Sequence, residues 1–478
     1  MSNGHTCSIS HFKLTSRKVG REESLEMNFF SSIVDFINGI IWGKNILVVL
    51  LIGTGIFFTI TMRFMQVRLL KDMAGLLIDN KKDSKSGISS FQAFCVSTAT
   101  RVGAGNLVGV VAAVSVGGAG SVFWMWLAAI FGAATAFVEA TLAIIFREKN
   151  KKGDFVGGAA FYIEKALGPK WNMNLRWLGL IFVFFAMICW GGVFQVISNS
   201  VTESFKVAFG VDVKIMSAVL AVLTAVVIFG KKDKIVKVLE KMVPFMAFIY
   251  LILVVFILVK NIALIPGVFT RIFEEAFGLR QAAGGAFGAV IIEGVKRGLF
   301  SNEAGTGSAP SAAAAADVDH PAKQGLIQSL GVYVDTLIIC TATALVVLVT
   351  KESVIKGLGG MELLQEAFRY HVGDWGVAFI AFVLFLFAFS TALGITYYAK
   401  PNLVFIADEE WLQTAFKIFA CGMILYGGMK QAFLVWSLAD LGLGLMAIVN
   451  IFAIIPLRGY AYDSLKDYEK KLKSEKNK

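Results

Sequence analysis

Thr100-Arg101-Val102-Gly103-Ala104-Gly105-Asn106, with Gly109 just beyond, interrupts an apolar run over 93–115 that is otherwise long enough to cross a bilayer. Each glycine costs a helix about 1 kcal/mol relative to alanine, so a cluster favours local unwinding. Lipid tolerates unpaired backbone only where it lines a polar cavity. A second cluster, Ala282-Ala283-Gly284-Gly285-Ala286-Phe287-Gly288, falls in the run 276–299. Either cluster alone is explained by close packing of helices through small residues. Together, in matched positions, they predict a pair of interrupted helices around a shared site.

Working outward, apolar runs of spanning length fill most of the chain, since a helical span needs roughly 20 such residues. Eleven are predicted: 45–62, 93–115, 121–146, 177–205, 215–229, 242–259, 276–299, 325–350, 375–397, 411–428 and 431–456. The composition agrees, with 56% hydrophobic residues, 17% charged and a mean hydropathy of +0.70. Soluble chains carry about 25% charged residues. Each interrupted span opens a run of five, over 91–260 and 273–457. Five is odd, so the second run inverts the first. Residues 27–62 precede these repeats, 458–478 form a basic tail, and 1–26 are a polar extension. Phe29, Ile33, Phe36, Ile37, Ile40 and Ile41 recur at helical spacing, which predicts a short interfacial helix over 28–41.

The net charge of +11 is topological and does not point to nucleic acid. One set of alternate connections holds 29 Lys and Arg, the opposite set nine. Basic loops stay in the cytoplasm. The C-terminus is therefore expected inside a bacterial plasma membrane and the N-terminus outside. Cys7, Cys95, Cys189, Cys340 and Cys421 show no metal-ligand spacing and no disulfide framework. Neither HExxH nor GxSxG occurs, and the Gly103/Gly105 and Gly305/Gly307 pairs follow no strand. An enzyme is not indicated, and no repeated filter motif suggests a channel.

Gly117-Gly118-Ala119-Gly120-Ser121-Val122-Phe123-Trp124-Met125-Trp126-Leu127 resembles the GGxGxxFWMW signature of the alanine/glycine:cation symporters. The resemblance continues through Gly103-Ala104-Gly105-Asn106, Gly157-Gly158, the stretch Gly298 to Pro310, His320-Pro321 and Phe389-Ser390-Thr391. It covers roughly 28–456. It implies an all-α membrane protein with a LeuT-type five-plus-five inverted repeat and one extra N-terminal helix. Such a protein carries a small neutral amino acid (alanine, glycine, serine or glutamine) with Na+ or H+ by alternating access.

By similarity, Gly103, Ala104, Gly105 and Asn106 would contact substrate, with Gln195 facing it. Phe287 and Ile291 would wall the side-chain pocket. Thr391 would lie near both substrate and cation, with Ser390 a further cation ligand. The family often has Thr where Arg101 stands and Trp where Ile395 stands. A lost indole reshapes the pocket, and Arg101 either reaches the substrate or pairs with a carboxylate, so a cargo as large as glutamine is in question.

Glu139 and Asp335 fall inside apolar runs, where a charge costs roughly 2.5–3.5 kcal/mol on insertion scales. They read as relays or as ties between helices. Glu293 is expected to pair locally with Lys296 or Arg297 near the cytoplasmic end of its span. Lys417 is expected to snorkel. The loop 300–322 is expected at the inner mouth, placed to gate.

Overall fold

The computed structural model describes residues 31–78, 87–230, 234–279, 284–430 and 432–476. The polar extension 1–26 and Phe29 lie outside them. In chain order the helices that frame the site are α1 (Ser31–Gly43), α2 (Ile46–Thr61), α3 (Ser90–Arg101), α4 (Gly105–Gly117), α5 (Gly120–Ile145) and α6 (Arg176–Phe209). They continue with α7 (Val213–Ile228), α8 (Lys234–Lys260), α9 (Ile265–Ala276), α10 (Gly284–Asn302), α11 (Pro310–Ala313) and α12 (Pro321–Val349). The last are α13 (Gly360–Val372), α14 (Asp374–Ile406), α15 (Glu410–Gly427), α16 (Ala432–Ile454) and α17 (Arg458–Lys476). A hairpin of β1 (Glu148–Lys149) and β2 (Phe155–Val156) is a small exception to a helical chain.

Among the described residues, six helices are long and apolar enough to cross a membrane, or eight when each bent pair is one span. Together with rows of exposed apolar side chains such as Val222, Phe248, Ile252 and Val255, they mark an integral membrane protein. Small residues set the closest crossings. A Cβ on Gly192 of α6 would stand 2.5 Å from the Ala439 backbone of α16, and one on Gly442 of α16 would stand 2.3 Å from Cys189. Larger residues at these two positions would force the helices apart. The Gly-Gly-x-Gly stretch works similarly. Gly120 abuts Ala276 of α9, while Glu275 accepts from the Ala119 N–H at 2.6 Å and so caps the start of α5. Trp124 donates to Ala276 O at 3.2 Å and Trp126 to Thr341 Oγ1 at 2.7 Å, fastening α5 to α9 and α12.

The first interruption is where the sequence puts it. α3 and α4 meet at a 46° bend across Val102–Ala104. α3 begins with a capping box in which Ser89 and Gln92 satisfy each other's backbone N–H. At the bend the Gly103 N–H donates to Asn106 Oδ1 at 2.9 Å, so a neighbouring side chain replaces the lost helical acceptor.

The second interruption is not where the glycine cluster predicted. Gly284–Gly288 form the opening turns of α10, which runs unbroken to Asn302, while 280–283 lie outside the described residues. The helix ends instead at Glu303, Gly305 and Gly307, whose φ angles are +57°, +94° and +79°. Propensity alone lets glycines stay helical inside a packed bundle. Successive positive-φ residues and Pro310, which lacks an N–H, do not. Within the loop 300–322, Ala304–Ala314 are buried in the bundle.

α1 also departs from a purely interfacial helix. Ile33 and Phe36 are exposed, but Val34, Ile41 and Trp42 are buried, and Asn38 and Trp42 donate to Ser437 O and Asp440 O of α16.

Candidate functional site

The two interruptions meet. A Cβ on Gly105 would come within 3.1 Å of the Phe300 ring, and one on Gly103 within 2.1 Å of Thr391 Oγ1. Only glycine fits at Gly103. Between them lies a small cavity. Thr100, Ala104 and Gly105 line it from the first interruption, and Phe300, Glu303 and Ser308 from the second. α6 contributes Cys189, Trp190, Val193 and Ile197, α14 Thr391 and Ile395, and α16 Leu443 and Met446. The walls are apolar except for hydroxyls and one carboxylate.

Each interruption is tied by a buried acid. Glu139 of α5 is 1% exposed. Its carboxylate accepts from the Gly305 and Gly307 N–H groups at 3.1 and 2.9 Å, and from Asn450 Nδ2. Asn450 also donates to Gly305 O at 3.0 Å and receives the Tyr162 hydroxyl. Asp335 of α12 accepts from Asn106 Nδ2 at 2.6 Å, Ser301 Oγ at 2.7 Å and Thr336 Oγ1 at 2.8 Å. The sequence left relay and helix tie open for both acids; Glu139 bonds the backbone of the second interruption, and Asp335 bonds the side chains of Asn106 and Ser301 beside the two interruptions.

Thr391 Oγ1 and Ser390 Oγ each lie 3.2 Å from Ala99 O and 2.8 Å from Phe387 O. Two hydroxyls and two carbonyls converging beside the first bend are the oxygen donors a hard monovalent cation takes. Rotating the two hydroxyl protons away would free all four.

Other predicted residues sit elsewhere. Gln195 is about 200° round α6 from Val193 and Ile197. It donates to Gly191 O and Met423 Sδ at 3.2 and 3.4 Å, facing α15 and not the cavity. Asn106 is fully buried, its amide spent on Gly103 and Asp335. Ile291 precedes Phe300 by nine residues, about 13 Å along α10, and does not line the cavity. The Phe287 side chain lies outside the described residues. Arg101 is 1% exposed and donates to Gln328 O at 3.1 Å, while its Nε and Nη2 find no partner. It lies within electrostatic reach of Glu139, Glu303 and Asp335 without bonding any of them. It does not line the cavity. Glu303, Trp190 and Phe300 do, and the sequence reading missed them. The signal for Glu303 was the Gly305, Gly307 and Pro310 that follow it.

One turn before Leu443, which lines the cavity, Asp440 of α16 is 3% exposed. It takes Lys296 Nζ at 2.6 Å and Arg297 Nη1 at 3.2 Å, and Arg297 also reaches Glu293 at 3.3 Å. The Arg297 guanidinium lies over the Trp436 ring at 4.4 Å, and that ring touches Phe300 at 4.8 Å. The expected local pair of Glu293 is present, but the cluster joins two helices through Asp440. A wider cavity of about 280 Å³ lies one turn from Ile395 along α14, where Thr396 and Lys400 line it with Lys417 of α15.

A bundle of bilayer-length helices around a cavity formed by two unwound segments is the build of a membrane solute carrier. The chain belongs to the sodium:alanine symporter family, whose model matches residues 27–478. It is 43% identical to the Probable sodium/glutamine symporter GlnT of Bacillus subtilis, over 93% of this chain and 92% of that protein. It is 42% identical to the Amino-acid carrier protein AlsT of the same organism, over 93% and 94%. It is 37% identical to the Sodium/alanine symporter AgcS of Methanococcus maripaludis, over 93% and 99%.

Proposed function

We propose that the chain is a secondary active symporter that imports a small neutral amino acid with sodium, or with a proton in its place, by alternating access. The observation that carries this reading is the meeting of two unwound segments over one small cavity. Beside it stands the oxygen set of Ala99, Phe387, Ser390 and Thr391. Freed N–H groups at the start of α4 suit the carboxylate of an amino acid.

The architecture we propose is the LeuT-type five-plus-five repeat over 91–260 and 273–457. It counts eleven spans, with α10, the unwound segment and α11 together making the seventh. The N-terminus is outside and the C-terminus in the cytoplasm. With the seventh span carried on to α11, that orientation puts the Asp440 cluster on the outer side of the cavity, not at the cytoplasmic end where Glu293, Lys296 and Arg297 were expected, and the cavity at Lys400 on the inner side. Alanine, glycine and glutamine are the proposed cargoes. Ile395 in the cavity wall, and a relative named for glutamine, favour including the larger one.

Uptake of radiolabelled alanine and glutamine into proteoliposomes, driven by a sodium gradient and then by a proton gradient alone, tests the reading. Sodium-driven accumulation of either supports it. Folded protein that takes up neither under either gradient removes the amino-acid assignment.

A further inference from the structure

The cavity lining contains one charged side chain among the described residues, Glu303. An amino acid brings two charges into that space. Its carboxylate has a partner at the N-terminus of α4, where Ala104 and Gly105 reach the cavity. Its ammonium needs an acceptor on the opposite wall, where Glu303 stands.

The other two buried acids are spoken for. Both Glu139 oxygens meet N–H donors of the second interruption and Asn450, and Asp335 is enclosed by Asn106, Ser301 and Thr336. Neither lines the cavity. Glu303 differs in its partners. The Ser308 hydroxyl donates to it at 2.7 Å, and the hydroxyls of Thr100 and Tyr398 stand close by. A hydroxyl donates or accepts as it rotates, whereas an amide N–H only donates. An ionised carboxylate has about four lone-pair sites, so three hydroxyls leave room for a further donor. Thr100 and Tyr398 also bond each other at 2.7 Å, so they have another partner when Glu303 turns to a ligand. Arg101, the nearest cation, makes no hydrogen bond to Glu303 and acts on it only through space.

We propose that Glu303 fixes the ammonium group of the transported amino acid, with Ser308, Thr100 and Tyr398 holding the carboxylate in place. This rests on the amino-acid symport reading above. It makes an unmodified amino group a requirement for recognition, while Ile395 and the α6 face set side-chain size.

The test is competition against sodium-driven alanine uptake in proteoliposomes by alanine and by lactate, in which a hydroxyl replaces the ammonium. The wild-type protein is expected to prefer alanine over lactate by at least about 100-fold. Glu303→Gln is expected to reduce that ratio by about tenfold or more, chiefly by weakening alanine. Equal losses for alanine and lactate, or an unchanged ratio, overturn the proposal, because a merely structural role moves both alike. If thermal unfolding shows Glu303→Gln to be misfolded, Glu303→Asp carries the test. Its shortened carboxylate is expected to lower the ratio by about threefold to tenfold, and an unchanged ratio is again fatal. Wild-type uptake of neither alanine nor glutamine removes the symport reading and this inference with it. Wild-type uptake with an unaltered ratio in the variants removes only the role of Glu303.

Discussion

Glu139 and Arg101 are both charged, both sealed from solvent, and in opposite states of satisfaction. Every oxygen of Glu139 has a donor, whereas Arg101 keeps two nitrogens without partners. Glu139→Gln turns an NH2 toward N–H donors and leaves at least one of them unpaired. That costs roughly 1–3 kcal/mol. A lowered unfolding temperature together with weaker alanine uptake is the expected outcome, and an unchanged melting curve would count against the tie. Arg101 does not line the cavity, so Arg101→Thr is expected to leave the alanine-to-glutamine uptake ratio within about twofold. Ile395→Trp, which fills the wall, is expected to shift that ratio toward alanine by about tenfold, within the range that pocket shape supplies. The opposite ranking would restore Arg101 as a specificity residue.

At this scale the sequence was legible where a residue type is forced. Gly103 admits no Cβ beside Thr391, while the hydroxyls of Ser390 and Thr391, about 100° apart on their helix, meet only because both fold back to Ala99 O and Phe387 O. Gln195 was not legible. A polar residue in an apolar run signals that it has a partner, but not which of two faces it occupies. Here the partner is Met423.

Among the elements, α3–α4 and α10–α11 show why one interruption could be read and the other misplaced. In α3–α4 the glycines coincide with the bend. In α10 the glycine-rich opening stays helical and the chain leaves the helix some fifteen residues later, at a glutamate. Backbone conformation at Glu303 is settled by what receives the freed N–H groups, and Glu139 is more than 160 residues away in sequence. The join between α10 and α16 gives an element-scale prediction. Asp440→Asn leaves Lys296 and Arg297 without their shared carboxylate. In a double-mutant cycle with Arg297→Gln, the coupling read from thermal unfolding is expected at about 1–3 kcal/mol. A coupling near zero would mean that the two helices are joined by packing alone.

For the whole molecule, membrane character was written in the composition, and the family in several motifs spread along the chain. Loop charge predicts the orientation of insertion, which is open to direct test. Reporter fusions are expected to place the C-terminus in the cytoplasm and the N-terminus outside. The family model begins at residue 27. A chain starting at Met27 is therefore expected to retain sodium-driven uptake within about twofold, since an unpatterned polar segment contributes little to a packed core. Loss of uptake from folded, truncated protein would show that the extension takes part.

The two interruptions are secured unequally. The backbone of the first is held by a neutral amide, Asn106, from within its own segment. That of the second is held by a carboxylate on α5 and an amide on α16. Charged hydrogen bonds are worth about twice neutral ones, so the second segment's backbone is fastened directly to two neighbouring helices, while the first's rests on its own Asn106, which Asp335 of α12 holds in turn. A cycle that swings on the Gly103 side could then carry cargo past Glu303 without unmaking the bonds that hold Gly305 and Gly307.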